Sequence, residues 1–240
     1  MPLKEPSKYN YNDYLTYKEN DRIEIIEGEI YNMAPAPSRI HQQLISDISY
    51  ELQHHIKSNN GSCKVYVAPF DVILINDDEE VLNSKNIVQP DISVICDKSK
   101  LTDKGCTGSP DMIVEVVSPY NPSNDFVRKL NLYQEYKVKE YWIVNPMDRS
   151  VLVYVLSKDG YNAPLHYTFK DTIKVNIFNS LDINFSEFDL WFSQLDGNFS
   201  FGVRRGKQNL TRVLFYTTDE IRRLFNPLKV GWCTNSTEVL

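Results

Sequence analysis

No stretch of this chain approaches the roughly 18 consecutive apolar residues of a membrane-spanning helix. The opening MPLKEPSKYNYNDYL also lacks the apolar core of a secretory signal. These two absences lead us to expect a soluble, cytoplasmic protein. Cysteine is scarce, with only Cys63, Cys96, Cys106 and Cys233. None stands in a C-x-x-C pair or beside a histidine pair, so a structural zinc site has no pattern to rest on, and reduced, mostly buried thiols are expected. Positive charge is short as well: 26 Lys and Arg face 32 Asp and Glu, a formal net charge of −6. A protein that simply coats nucleic acid would not be built this way. The deficit is uneven, however. Residues 1–195 hold 19 basic against 28 acidic side chains, and residues 196–240 hold 7 against 4. A local basic surface around Arg204, Arg205, Lys207 and Arg212 therefore survives in the tail.

What is present is an ordinary globular composition, 42% hydrophobic and 24% charged over 240 residues, enough for one sizeable domain and a tail. RIEIIEGEIYNM reads as a β-hairpin around Glu27-Gly28. From Ser38 the apolar period changes to that of a helix, through Ile40, Leu44, Ile48, Leu52 and Ile56, and SNNG ends it. KVYVAPFDVILI is a strand candidate that Pro69 marks as an edge or a bulge, and its Asp71 reads as an edge-strand charge. Two short apolar strands follow, VQPDISVICD and DMIVEVVSP. SPYNPSNDFVRKLNLYQEYKV reads as a second helix, capped near Ser123 or Asn124. KEYWIVNP is a further strand, and SVLVYVLS, LHYTF and TIKVNIF read as a closing antiparallel meander. The order predicts an α/β or α+β domain around one mixed sheet.

Two carboxylates interrupt apolar strands: Asp91 in the first and Glu115 in the second. Strand alternation puts Glu115 on a face with Ile113 and Val117. If the two strands are neighbours, both acids converge at one sheet edge. Such a pair cannot stay doubly ionised without a cation between, and hard oxygen ligands suit Mg²⁺. Lys129 lies fourteen residues beyond Glu115, on the apolar stripe of the second helix with Phe126 and Tyr133. A lysine aimed at an acid pair can orient an attacking water and offset charge in a phosphoryl transition state. The alternative is bland: a buried ion network in a structural protein, with a lysine that merely snorkels. Spacing alone leaves both open.

The motifs QPD, IVEVVSP and NDFVRKLNLYQEYKVKEYWIVNP, with IEIIEGEIYNMAP and His41-Gln42, closely resemble the Uma-type family of "putative restriction endonucleases", within the PD-(D/E)xK nuclease superfamily. The likeness covers about residues 13–192. It implies a restriction-endonuclease-like α/β fold over residues 13–195, a central mixed sheet flanked by helices with an N-terminal hairpin, and 196–240 as a tail. It also implies a Mg²⁺-dependent (or Mn²⁺-dependent) DNA endonuclease. Asp91 and Glu115 then bind the metal, and Lys129 positions the water. The lysine of the motif should stand at position 117, where this chain has Val117, so the lysine has migrated to the helix. The resemblance adds Glu29 as a catalytic candidate, less firmly Glu27, Glu24 and His41, and Asp125 as a partner of Lys129. It leaves open a catalytically inactive nucleic-acid-binding protein on the same scaffold, and a homodimer that cuts both strands.

Overall fold

The structure is a computed structural model, and it describes residues 8–17, 22–33, 38–76, 78–118 and 124–190. The basic cluster of the tail, the loop 119–123 and the side chain of Asp125 lie outside the described residues. No described helix is long and apolar enough to cross a membrane.

A four-residue helix, α1 (Tyr11–Tyr14), opens the described chain under a reciprocal capping box of Asn10 and Asp13. The hairpin follows as β1 (Ile23–Ile26) and β2 (Glu29–Asn32). Its turn residues Glu27 and Gly28 both have positive φ, 53° and 78°. Such a turn matches the right-handed twist of the strands it joins. The first long helix, α2 (Arg39–Ser58), starts where expected: the Ser38 side chain accepts from the His41 backbone N–H, and Leu44, Ile48, Leu52 and Ile56 are buried.

The next two strand candidates do not stay whole. KVYVAPFDVILI divides into β3 (Lys64–Val67) and β4 (Asp71–Ile73), and VQPDISVICD divides into β5 (Ile87–Val88) and β6 (Ile92–Ile95). Each break falls at a proline, Pro69 after a cis peptide bond and Pro90. Proline cannot donate to a ladder, and at both places the chain leaves one sheet for another. The described strands accordingly divide between a seven-stranded mixed sheet and a five-stranded one, with a two-stranded ribbon besides. A five-stranded sheet runs β2-β1-β5-β4-β7, where β7 is Gly105–Thr107. Asp71 therefore lies on an inner strand, between β5 and β7, and not on an edge.

The larger sheet is built on β8 (Met112–Val116), β9 (Glu140–Asn145) and β10 (Ser150–Ser157). Its seven strands run β11-β10-β9-β8-β6-β3, and β12 also pairs with β10; β11 is Gly160–Tyr161 and β12 is Leu165–Thr168. Strands β8 and β9 are parallel, and the chain crosses between them through the second helical segment. That segment is a π-helical turn, Asn124–Lys129, followed by α3 (Leu130–Glu135). TIKVNIF does not join the meander. It contributes β13 (Thr172–Lys174), which pairs with β14 (Asp182–Asn184) as a separate ribbon.

A core of Ile26, Val72, Val88, Ile113, Val117, Leu132, Tyr133 and Tyr141 joins residues of both sheets to α3. The thiols depart from expectation. Cys63 and Cys96 face each other one step beyond the β3–β6 ladder, and they form a disulfide. That register could not be read from spacings of cysteine alone. Cys106 is buried and free, its thiol pushed up to about 11 by burial. Cys233 lies outside the described residues.

Candidate active site

The site forms where the chain crosses between the sheets. In the β6–β8 ladder Ile92 pairs with Val114, so one step further Asp91 stands opposite Glu115. Directly opposed residues on antiparallel strands share a face and have Cβ atoms about 5 Å apart. The register thus sets the two acids opposite each other, where β6 begins and β8 ends. Asp91 Oδ2 accepts a hydrogen bond from the Val116 N–H at 2.7 Å, and His41 Nε2 of α2 lies 3.3 Å from the same oxygen. A backbone N–H and an imidazole together fix the carboxylate's orientation.

Lys129 points inward. It is only 4% exposed, and its Nζ donates to Glu115 Oε1 at 2.9 Å and to Glu24 Oε1 at 3.0 Å. Glu24 comes from β1 in the smaller sheet and Glu115 from β8 in the larger one. One ammonium group therefore ties the two sheets together at the site. The π-helical turn that ends at Lys129 widens the helix locally, a feature that recurs at functional sites. Position 117 offers no room for this amine. Val117 is fully buried in the core, and its N–H donates to the Val144 carbonyl.

Two further residues complete the network. The Tyr133 hydroxyl donates to Glu115 Oε1 at 2.8 Å; its ring is core, as expected, but its polar end reaches the site. Gln89, just before Pro90, donates its backbone N–H to Glu24 Oε1 at 2.9 Å. Its side-chain amide donates to Asp71 Oδ1 at 2.7 Å, and the Tyr14 hydroxyl donates to the same oxygen at 3.0 Å. Burial and the Asp71 charge hold the Tyr14 hydroxyl well above its usual range. Asp71 thus supports the site through Gln89 instead of entering it.

Glu29, a catalytic candidate or else an exposed hairpin residue by its sequence, opens β2. It is exposed on β2, and its carboxylate accepts from the Tyr31 hydroxyl at 2.5 Å. On the same face of the hairpin, Glu24 is the acid that reaches Lys129. Glu24 sits inside the uniformly buried β1, while Glu29 opens β2, which is exposed at both ends. The positive-φ turn residue Glu27 leaves the site to Glu24 as well, and its backbone N–H donates to Asn86 Oδ1 at 2.7 Å. Asn145 holds the turn after β9 by accepting from the Met147 N–H at 3.0 Å.

A contrast shows what a structural acid looks like in this chain. Glu140 on β9 is fully buried, yet its oxygens take Trp142 Nε1–H, the Asn176 amide and the Ile177 N–H, at 2.7, 3.0 and 2.8 Å. Three neutral donors satisfy it, with no cation. Asp91 differs: its side chain is 17% exposed, and its Oδ2 takes the Val116 N–H and lies beside His41. Among the described residues no group of three or more His, Cys, Asp or Glu side chains is gathered as a cation cage. A pair of carboxylates is the donor set that Mg²⁺ commonly takes from a protein, the rest of its shell being water and phosphate oxygen. Asp91 and Glu115 fit that set.

Comparisons with known proteins bear on the family and the fold. The model of the Uma2 family, described as "Putative restriction endonuclease", matches residues 11–186. The chain is 25% identical over 171 residues to an uncharacterised protein of Synechocystis sp., slr1290, with 70% of this chain and 85% of that one covered. A crystal structure from Anabaena variabilis, titled as a putative nuclease belonging to DUF820, superposes with a TM-score of 0.59 at 16% identity. It covers 75% of this chain and 96% of that one. The fold is the restriction-endonuclease-like α/β arrangement, and the chain belongs to the Uma2 family.

Proposed function

We propose that the protein is a metal-dependent DNA endonuclease whose site is Asp91, Glu115 and Lys129, with Glu24 as the second carboxylate on the lysine. The observation that carries the reading is the buried ammonium of Lys129 shared between two acids, next to a third acid held by a backbone N–H and a histidine. An ion network of purely structural use would need no half-exposed aspartate at its edge.

Asp91 and Glu115 would hold the cation, Mg²⁺ or Mn²⁺. When bound it supplies Lewis-acid polarisation of a phosphate oxygen and a more acidic water. Each protein group then has a stated task. The Val116 N–H and His41 keep Asp91 aligned toward Glu115. Tyr133 and Lys129 hold Glu115 Oε1, fixing the second carboxylate. Lys129, locked by Glu24, brings a positive charge to the place where an attacking water is oriented and negative charge grows on the phosphate. Fixed donors in a site closed to bulk water stabilise such charge without reorganising. Val117 does not argue for a dead enzyme on this reading, because the amine reaches Glu115 from the helix.

The test is cleavage of supercoiled plasmid by the full chain with Mg²⁺, with Mn²⁺ and with chelator, beside Glu115→Gln. Metal-dependent nicking by the wild type, abolished by chelator and by Glu115→Gln in a folded variant, is expected. Binding of the plasmid without nicking under every metal condition would favour the inactive nucleic-acid-binding alternative. Neither binding nor nicking would leave Lys129 as part of a structural network.

A further inference from the structure

A second cation, Arg128, stands beside this network, and among the described residues its Nη1 has no acceptor. Arg128 precedes Lys129 on the π-helical turn, and its guanidinium carbon lies 4.3 Å from the centre of the Tyr31 ring. The Tyr31 hydroxyl is committed to Glu29. Among the described residues, Asp91 pairs with His41 and Glu24 and Glu115 pair with Lys129, while Arg128 Nη1 is buried without a hydrogen-bond partner. A buried donor left unsatisfied costs about 1–3 kcal/mol, and more when the group is charged. The tyrosine face offers attraction to the cation but no lone pair to accept from it. What is missing is an oxygen acceptor. A guanidinium presents its donors as a planar fork, which matches the paired oxygens of a phosphate.

Position and charge indicate which phosphate. Tyr31 is the register partner of Glu24 across the hairpin, and Glu24 holds Lys129. Arg128 is thus one residue along the chain from the lysine and one cross-strand pair from its acid. Asp91, Glu24 and Glu115 with Lys129 sum to two negative charges, which one divalent cation cancels. Arg128 lies beside that set, on the Tyr31 ring whose hydroxyl carries the Glu29 carboxylate, and a phosphodiester brings the paired oxygens its fork lacks. The residue as a whole is half-buried, with Nη1 on its buried side, and the Tyr31 ring lies against its plane.

We infer that Arg128 is the phosphate-binding residue of this site, taking non-bridging oxygens of the DNA strand beside the scissile bond. The inference rests on the nuclease reading above. Tyr31 is the platform that orients the fork, and Glu29 anchors that platform through its hydroxyl.

The experiment measures binding of a fluorescein-labelled DNA duplex by anisotropy across a salt series, using the full chain in Ca²⁺. Wild type is compared with Arg128→Ala, Arg128→Gln and Arg128→Lys, and each variant's thermal unfolding is recorded. Arg128→Gln keeps a stem on the Tyr31 ring, so it guards against a fold lost by truncation. Arg128→Ala and Arg128→Gln should bind about tenfold more weakly at low salt, and the slope of log affinity against log salt should become shallower by about 0.9, one phosphate contact. Arg128→Lys should retain the slope and lose part of the affinity, since a point charge replaces a fork. A folded Arg128→Gln with wild-type affinity and slope overturns the assignment while the nuclease reading stands. A wild type that neither binds nor cuts DNA overturns the nuclease reading, and this site falls with it.

Discussion

Replacing Lys129 with methionine removes the charge from the centre of the site while keeping most of the side chain's volume. The Glu24 and Glu115 carboxylates then face each other across the space the ammonium held, one from each sheet. Their side chains are only 7% and 5% exposed, so water cannot take over the role of the cation. Two charges 3 Å apart interact by about 5–6 kcal/mol at an effective dielectric constant of about 20, and Lys129 makes two such contacts. Most of that attraction is offset by the cost of burying the charges. The net loss on removing one partner of a buried pair is about 3–5 kcal/mol. Against a total stability of about 5–15 kcal/mol this is a large fraction. Urea unfolding followed by circular dichroism reads it directly: with a slope of about 2 kcal/mol per molar, the midpoint should fall by about 2 M. Glu24→Gln in the same background should cost much less than it does alone, since the acid it removes has already lost its partner. A Lys129→Met midpoint within about 0.3 M of wild type would refute the buried, shared ammonium on which the site is built.

Other consequences follow from the same geometry. Glu29→Gln keeps an oxygen to accept from the Tyr31 hydroxyl, so it should unfold within about 0.5 kcal/mol of wild type and nick plasmid at the wild-type rate; a large loss of nicking would return Glu29 to the reacting groups. Glu140→Ala should cost about 3 kcal/mol or more, because the Trp142, Asn176 and Ile177 donors are left without an acceptor, while Mg²⁺ affinity by calorimetry is unchanged in the folded fraction. Val117→Lys should destabilise severely, since it puts an amine into a fully buried core position, and it should not rescue nicking in Lys129→Met; rescue would show that the strand position can still serve. Tyr14 is held above its usual range by burial and by Asp71, so its folded form keeps the proton that the unfolded chain loses near pH 10. The stability it contributes is therefore complete below about pH 10 and is lost as pH rises beyond that. Tyr14→Phe should flatten the alkaline fall in the unfolding midpoint, and an unchanged fall would refute that role.

Local pattern carried much of this protein in the sequence itself. The hairpin turn was legible because two consecutive residues must take positive φ and one is glycine, and α2 was legible because its apolar period and Ser38 cap agree. Asp91 and Glu115 stood out because a charge inside a β-branched run conflicts with burial. Lys129 was legible as inward-facing because a lysine on an apolar stripe raises the same conflict. Partner choice was a different matter. Pro69 and Pro90 were visible as interruptions, but that each sends the chain from one sheet into the other depends on strands far apart in sequence. For the same reason Glu24, 105 residues from Lys129, could not be preferred over Glu29, five residues further along the hairpin. Both are glutamates in short strands, and only the packing of the hairpin against the helix buries one and leaves the other in water. The Cys63–Cys96 bridge likewise follows from a ladder register that no cysteine spacing encodes. Periodicity and residue chemistry are local and are written in the chain; which buried charge meets which is settled by long-range strand pairing, and that exists only once the two sheets have come together.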